Sequence, residues 1–176
     1  MLAADEERNR LMVEDVTAAV QAKRCPVLLT ERWEHLGMLA NLLSLRVQNV
    51  IVMAGGMGKK QRRQLAEQIA GLPADQPRVI VATGRYLGEG FDDERLDTLF
   101  LALPISWRGT LTQYAGRLHR LNAAKKEVII YDYVDFEVPL LAKMYGRRRT
   151  GYKAIGYEIA LPESKSQAGQ LALEDL

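Results

Sequence analysis

The sequence predicts an α/β fold, a three-layer sandwich in which a mostly parallel central sheet carries helices on both faces. Three observations lead there. Apolar runs of strand length alternate along the chain with amphipathic stretches of helical spacing, the order of a repeated βαβ unit. The runs are apolar throughout, as in Pro26-Val27-Leu28-Leu29-Thr30, which fits strands buried on both faces. The connections are short and punctuated by Gly and Pro, and crossovers of this kind are right-handed.

Each element has its own signal. From Glu6 to Arg24, Leu11, Met12, Val16, Ala19 and Val20 recur at helical spacing. Pro26 to Thr30 is the first strand. Glu31-Arg32-Trp33-Glu34-His35 leads into a second helix with the stripe Leu36, Leu39, Ala40, Leu42 and Leu43. Val47 to Met53 is the second strand and ends in Ala54-Gly55-Gly56-Met57-Gly58-Lys59-Lys60. A helix from about Lys60 to Ala70 buries Leu65, Ala66 and Ile69, and Gly71-Leu72-Pro73 stops it. Arg78 to Thr83 is the third strand, Gly84 to Asp93 a loop, and Thr98 to Leu103 the fourth strand, closed by Pro104. A helix over about Thr110 to Leu121 and a strand over Val128 to Val134 follow. Pro139 to about Ile159 reads as a basic helix around Arg147-Arg148-Arg149. Residues 1–160 form the domain, and the unpatterned residues 161–176 read as a mobile tail. The chain enters a helix with no strand before it, as a piece of a longer protein would.

Composition narrows the function classes. A chain of 176 residues, 48% hydrophobic, can bury one core of its own. A net charge of +2 is no polycationic signature, so local basic clusters carry any nucleic-acid argument. The single Cys25 excludes an intrachain disulfide and a multi-cysteine zinc site. His35 and His119 are far apart in sequence, which speaks against a histidine metal site, and none is expected. No apolar run reaches transmembrane length. The acidic start Met1-Leu2-Ala3-Ala4-Asp5-Glu6-Glu7 is not a signal peptide. A cytoplasmic protein without a membrane partner is expected.

Ligands of open α/β sheets bind beyond the carboxyl ends of the strands, here the loops at Glu31, Gly55, Gly84 and Ile105. The Gly55-to-Lys60 loop fails the Walker pattern, because Met53 stands at the required first Gly and Lys60 at the required Ser or Thr. It either holds a nucleic-acid phosphate on backbone amides and lysines or forms a merely tight turn. Asp92-Asp93-Glu94-Arg95 follows a glycine-bearing loop rather than closing an apolar strand, so it is not a magnesium-binding acidic box. By itself the chain is not expected to bind and hydrolyse ATP. In Gln113-Tyr114-Ala115-Gly116-Arg117-Leu118-His119-Arg120 two arginines stand three apart on the helix read over about Thr110 to Leu121, and so share one helix face. Guanidinium forks suit phosphate oxygens, so the pair serves a nucleotide polyphosphate or forms a solvated basic face. Trp33 and Trp107 stack on a base or pack, with packing favoured.

Val81-Ala82-Thr83-Gly84-Arg85-Tyr86-Leu87-Gly88-Glu89-Gly90-Phe91-Asp92 resembles motif V of superfamily 2 helicases, and Gln113 to Arg120 resembles their motif VI, Q-x-x-G-R-x-x-R. The order and the single strand between them are the family's, and Pro26 to His35 resembles motif IV. Over residues 25 to 135 the chain resembles the C-terminal RecA-like (P-loop NTPase-type) domain, with the DEAD/DEAH-type, Res-subunit-like bacterial helicases as closer kin. The resemblance implies the second motor domain of an ATP-dependent helicase or translocase, inactive alone. ATP and Mg2+ would be held mainly by an N-terminal RecA-like domain of the same protein. Arg120 matches the arginine finger, Arg117 a second γ-phosphate contact, and Gln113 the residue that positions the attacking water or γ-phosphate. Gly90 and Asp92 match the nucleotide-lining end of motif V. Thr83, Thr30, Arg32, Gly56 and Lys59 match or flank the nucleic-acid grip, with DNA favoured over RNA. His119 stands where many relatives have Gly, and is read as structural. The alternative is a non-catalytic nucleic-acid-binding or scaffold module that retains the fold. A Rossmann-like mononucleotide enzyme would need a G-x-G-x-x-G after its first strand, which is missing.

Overall fold

The computed structural model describes residues 2–73, 75–84, 93–105, 112–120, 122 and 125–160. After a 3-10 turn at Leu2–Ala4, the described elements are α1 (Glu6–Gln21), β1 (Pro26–Thr30), α2 (Trp33–Ser44), β2 (Asn49–Met53) and α3 (Lys59–Gly71). Then come β3 (Arg78–Thr83), β4 (Thr98–Leu101), α4 (Thr112–Leu118), β5 (Ile129–Asp132) and α5 (Pro139–Ala154). The five strands form one sheet in the order β2-β3-β1-β4-β5, every pairing parallel. The predicted three-layer architecture stands.

Alternation within the strands explains the two cores. Leu28, Val79, Val81 and Phe100 face α1 and α2, meeting Met12, Val16, Leu36, Leu39 and Leu43. Val27, Leu29, Ile80, Ala82, Leu99 and Leu101 face the other way, onto Ile69 of α3, Tyr114 and Leu118 of α4 and Tyr152 of α5. Burial on both faces is why the central strands read as continuous apolar runs. β2 is an edge strand, and Val52 in it is exposed.

Helix ends follow local chemistry. The Asp5 carboxylate accepts the Arg8 N–H at 3.0 Å and caps α1, with Glu6 and Glu7 in the first turn. α5 stops at Ala154 rather than near Ile159 because Gly156 takes a positive φ of 87°. The Tyr157 and Gly156 amides then bond back to the Tyr152 and Lys153 carbonyls, a Schellman cap.

Several expected burials differ. Leu11 and Leu42 are exposed because their helices bury a narrower stripe than the sequence presents. In α3 only Ile69 is buried, Leu65 is half-buried and Ala66 is exposed. That helix is held at its end, where the Arg95 guanidinium donates to the Ile69 and Leu72 carbonyls at 2.9 and 3.2 Å. The basic run of α5 is no uniform surface either. Arg148 is buried against Asp132, with bonds of 2.7 and 2.9 Å.

Candidate functional site

The carboxyl edge of the sheet brings several of the singled-out residues together. Thr30 and Thr83 are register partners at the ends of β1 and β3. The Thr83 hydroxyl accepts the Gly55 N–H at 2.9 Å and so ties the β2–α3 loop to β3. In that loop Gly56 has a φ of +89°, which favours Gly, and nothing crowds it. Lys59 opens α3 and is exposed, behind a Gly58 amide that donates to the Gln61 side chain at 3.1 Å.

The Thr30 hydroxyl faces inward. It lies 3.0 Å from His35 Nδ1, while His35 Nε2 lies 2.8 Å from Asn9 Oδ1. Asn9 Nδ2 is spent on the Ala3 carbonyl, so its oxygen accepts and His35 carries its proton on Nε2. Thr30 therefore donates to Nδ1. Burial, then the charges of Arg8 and Arg32, pull the His35 pKa down to about 4. This neutral Asn9–His35–Thr30 chain fastens α1 to the end of β1. Of the expected nucleic-acid contacts at this strand end, the Thr30 side chain is buried, whereas Arg32, the N-cap residue of α2, is exposed. Trp33 is 61% exposed, against the expectation that it packs.

Sequence reasoning missed the convergence at Gly84. A Cβ there would overlap the Glu31 carboxylate and the Tyr114 hydroxyl. Glycine thus lets the ends of β1 and β3 and the helix α4 meet at one point. Partial burial raises the Glu31 pKa. Burial first, and the Glu31 charge second, push Tyr114 up to about 12. A glycine after a strand-end Thr was the one sequence signal, and neither of its neighbours is near it in the chain.

Tyr114 anchors the helix that carries Gln113, which is exposed, and Arg117, which is half-buried. The helix ends earlier than the sequence suggests. It ends at Leu118, and Arg120 lies in the bend beyond it, exposed. The Lys125 ammonium donates to the Leu118 and Arg120 carbonyls at 2.8 Å each, a cation at the negative end of the helix. Arg117 and Arg120 therefore do not share one regular helix face, which corrects that expectation. The His119 ring sits edge-on to Tyr157, 5.4 Å between centroids. Gly90 and Asp92, the expected nucleotide-lining pair, lie outside the described residues, as do Trp107 and the 161–176 tail.

Asp93 is buried and serves the fold. It pairs with Arg78 at 2.9 Å and Arg95 at 3.0 Å. Among the described residues no group of three or more His, Cys, Asp or Glu is arranged to hold a metal. Among them, too, no helix is long and apolar enough to cross a membrane.

This architecture is the RecA-like fold, and solved helicase and ATPase domains share it. T4 UvsW superposes with a TM-score of 0.69 at 16% identity, over 86% of this chain and 33% of that one. The C-terminal part of the Fun30 ATPase domain gives 0.62 at 17% identity, over 73% of this chain and 40% of that one. The E. coli DEAD-box protein SrmB, solved bound to the regulator of ribonuclease activity A, gives 0.60 at 20% identity, over 81% and 79%. The chain thus spans about a third of the T4 UvsW chain. No protein-family model matches the sequence. Uncharacterized protein 108L of Invertebrate iridescent virus 3 is 32% identical over 103 residues, 58% of this chain and 92% of that protein. The chain belongs to the same family as that viral protein.

Proposed function

We propose that this domain is the second motor domain of an ATP-dependent nucleic-acid helicase or translocase. It works across a cleft from an N-terminal RecA-like domain that holds ATP and Mg2+. The observation that carries the reading is the meeting at Gly84, where the helix bearing Gln113 and Arg117 abuts the strand ends that carry the expected nucleic-acid contacts. A motor needs those two sites mechanically joined.

In this reading Arg120 neutralises charge developing on the transferring phosphoryl group, Arg117 makes a second contact to it, and Gln113 orients the attacking water. The donors on this chain are guanidinium and amide groups, which fit outer phosphates, and its described carboxylates form no metal-binding group. ATP supplies the phosphoryl group, and the facing domain supplies the ligands of Mg2+. Gly90 and Asp92 line the nucleotide. Thr83, Gly56, Lys59 and Arg32 hold the nucleic-acid backbone, with the Thr30 stretch taking part through its main chain, since its hydroxyl is bonded to His35. DNA is the expected strand, and a cytoplasmic setting goes with it.

A second reading, a nucleic-acid-binding module without catalysis, draws support from the exposed lysines at the start of α3. One experiment separates the two. The chain is joined to an N-terminal RecA-like domain carrying a Walker loop and an acidic box, and ATPase activity is followed with single-stranded DNA or RNA added. The motor reading requires stimulated hydrolysis that neither domain gives alone. Salt-sensitive binding through Lys59, Lys60, Arg62 and Arg63 with no hydrolysis leaves the second reading standing.

A further inference from the structure

We propose that Trp33 is a base-stacking platform, so that the carboxyl edge of the sheet takes single-stranded nucleic acid and grips a base as well as phosphates. The inference rests on the nucleic-acid reading above and adds to it the strand state of the ligand.

Exposure is the first ground. Trp33 is 61% exposed, whereas Leu36, Leu39 and Leu43 on the inward side of the same helix are 3% exposed or less. The indole does not serve the core. It is also not part of a wider apolar patch on α2. Leu42, nine positions on, is half a turn round the helix and about 13 Å along it. A single exposed side chain is too small an apolar area for a protein interface, whereas one indole face is enough to stack a base.

Position is the second ground. Trp33 opens α2 three residues past Thr30, whose register partner is Thr83, whose hydroxyl holds Gly55. The sheet order β2-β3-β1 sets these three strand ends side by side. Lys59 and Gly56 lie at one end of the row and Arg32 and Trp33 at the other. A strand whose phosphates follow the row brings a base to Trp33.

The charge around Trp33 is mixed. Arg32 stands directly before Trp33 and is exposed, while Glu31 is turned toward Gly84 and Tyr114. Glu34 follows Trp33 in the chain and is exposed, as Glu31 is. Stacking tolerates any base, and it needs an unpaired base with a free π-face.

The test uses the 176-residue chain with Trp107→Phe, which leaves Trp33 as the single tryptophan of the two in the sequence. The chain is titrated with oligo(dT) and with a duplex of the same length. The expected result is quenching of Trp33 emission by the single strand and none by the duplex. In the otherwise native chain, anisotropy of a labelled oligo(dT) should show Trp33→Ala weakening binding about tenfold or more, with Trp33→Phe restoring most of it. The melting temperature should stay unchanged. Single-strand binding that neither quenches Trp33 nor depends on it overturns the platform and leaves the nucleic-acid reading intact. Failure to bind any nucleic acid overturns both. An emission shift with protein concentration alone assigns Trp33 to a contact between copies and overturns the platform.

Discussion

The two halves of the carboxyl edge differ in how deeply their basic residues are buried. On the β4–β5 side two guanidiniums are sunk into the fold. Arg8 of α1 donates to the Ala102 carbonyl at 3.1 Å and pairs with Asp135 at 3.0 Å. Arg148 of α5 grips both oxygens of Asp132, which also accepts the Tyr152 hydroxyl at 2.9 Å. Arg148 also reaches the Ile105 carbonyl. On the β2–β3–β1 side there are glycines, two strand-end threonines, and the exposed Arg32, Trp33 and Lys59. The amino edge resembles the closed half, with Arg24 against Asp97 and Glu127, and Arg78 and Arg95 against Asp93. The lesson is that burial separates the two kinds of basic residue, with Arg8 and Arg148 buried and Arg32 and Lys59 exposed. A guanidinium pinned between a carboxylate and strand-end carbonyls is a fastener. One kept at the surface of a glycine-rich edge can meet a phosphate.

The comparison can be broken, and the largest effect is the first place to try. Arg148→Ala strands Asp132 in a buried site and should cost about 3–5 kcal/mol of stability. Urea denaturation measures it, and a cost below about 1 kcal/mol would remove Arg148 from the fasteners. Next comes the Asn9–His35–Thr30 chain that braces β1. His35 has a usual pKa of 6.5 when unfolded and about 4 when folded. Because the folded value is the lower one, its contribution is complete above pH 6.5 and lost as pH falls toward 4. The loss across that window is up to roughly 3 kcal/mol. Denaturation midpoints at pH 7 and 4.5 should differ accordingly, and His35→Gln should remove that part of the difference. The smallest effect belongs to the open half. Lys59→Ala should change stability by less than about 0.5 kcal/mol. It should also lower the salt slope of nucleic-acid binding by about 1. A large stability loss there would erase the distinction between the halves.

The same contrast marks what was legible beforehand. β1 and β3 stand at the bounds read from sequence, because strands buried on both faces announce themselves as apolar runs with polar or proline ends. The remaining strands are shorter than the spans read from sequence, since pairing takes up only Asn49–Met53, Thr98–Leu101 and Ile129–Asp132. Arg8 shares a helical stripe with Met12 and Val16, a visible sign that it is buried. Its partners Ala102 and Asp135 are 94 and 127 residues away, and nothing in the sequence joins them. The Gly84 convergence was hidden for the same reason. It depends on β3 lying beside β1 in the sheet, although α2, β2 and α3 separate them in the chain. The arginine pair was legible as a motif but not as a geometry, because the helix beneath it is ended by Lys125 from further along the chain.

The proposed motor function requires Arg117 of α4 and Arg120 beyond it to complete an active site whose other half lies on a facing domain. The most direct measurement is single-turnover ATP hydrolysis by the joined two-domain motor with nucleic acid present, comparing the native chain with Arg120→Ala. The expected result is a loss of about 10³-fold or more in rate with ATP binding largely kept. Hydrolysis that survives Arg120→Ala would contradict it.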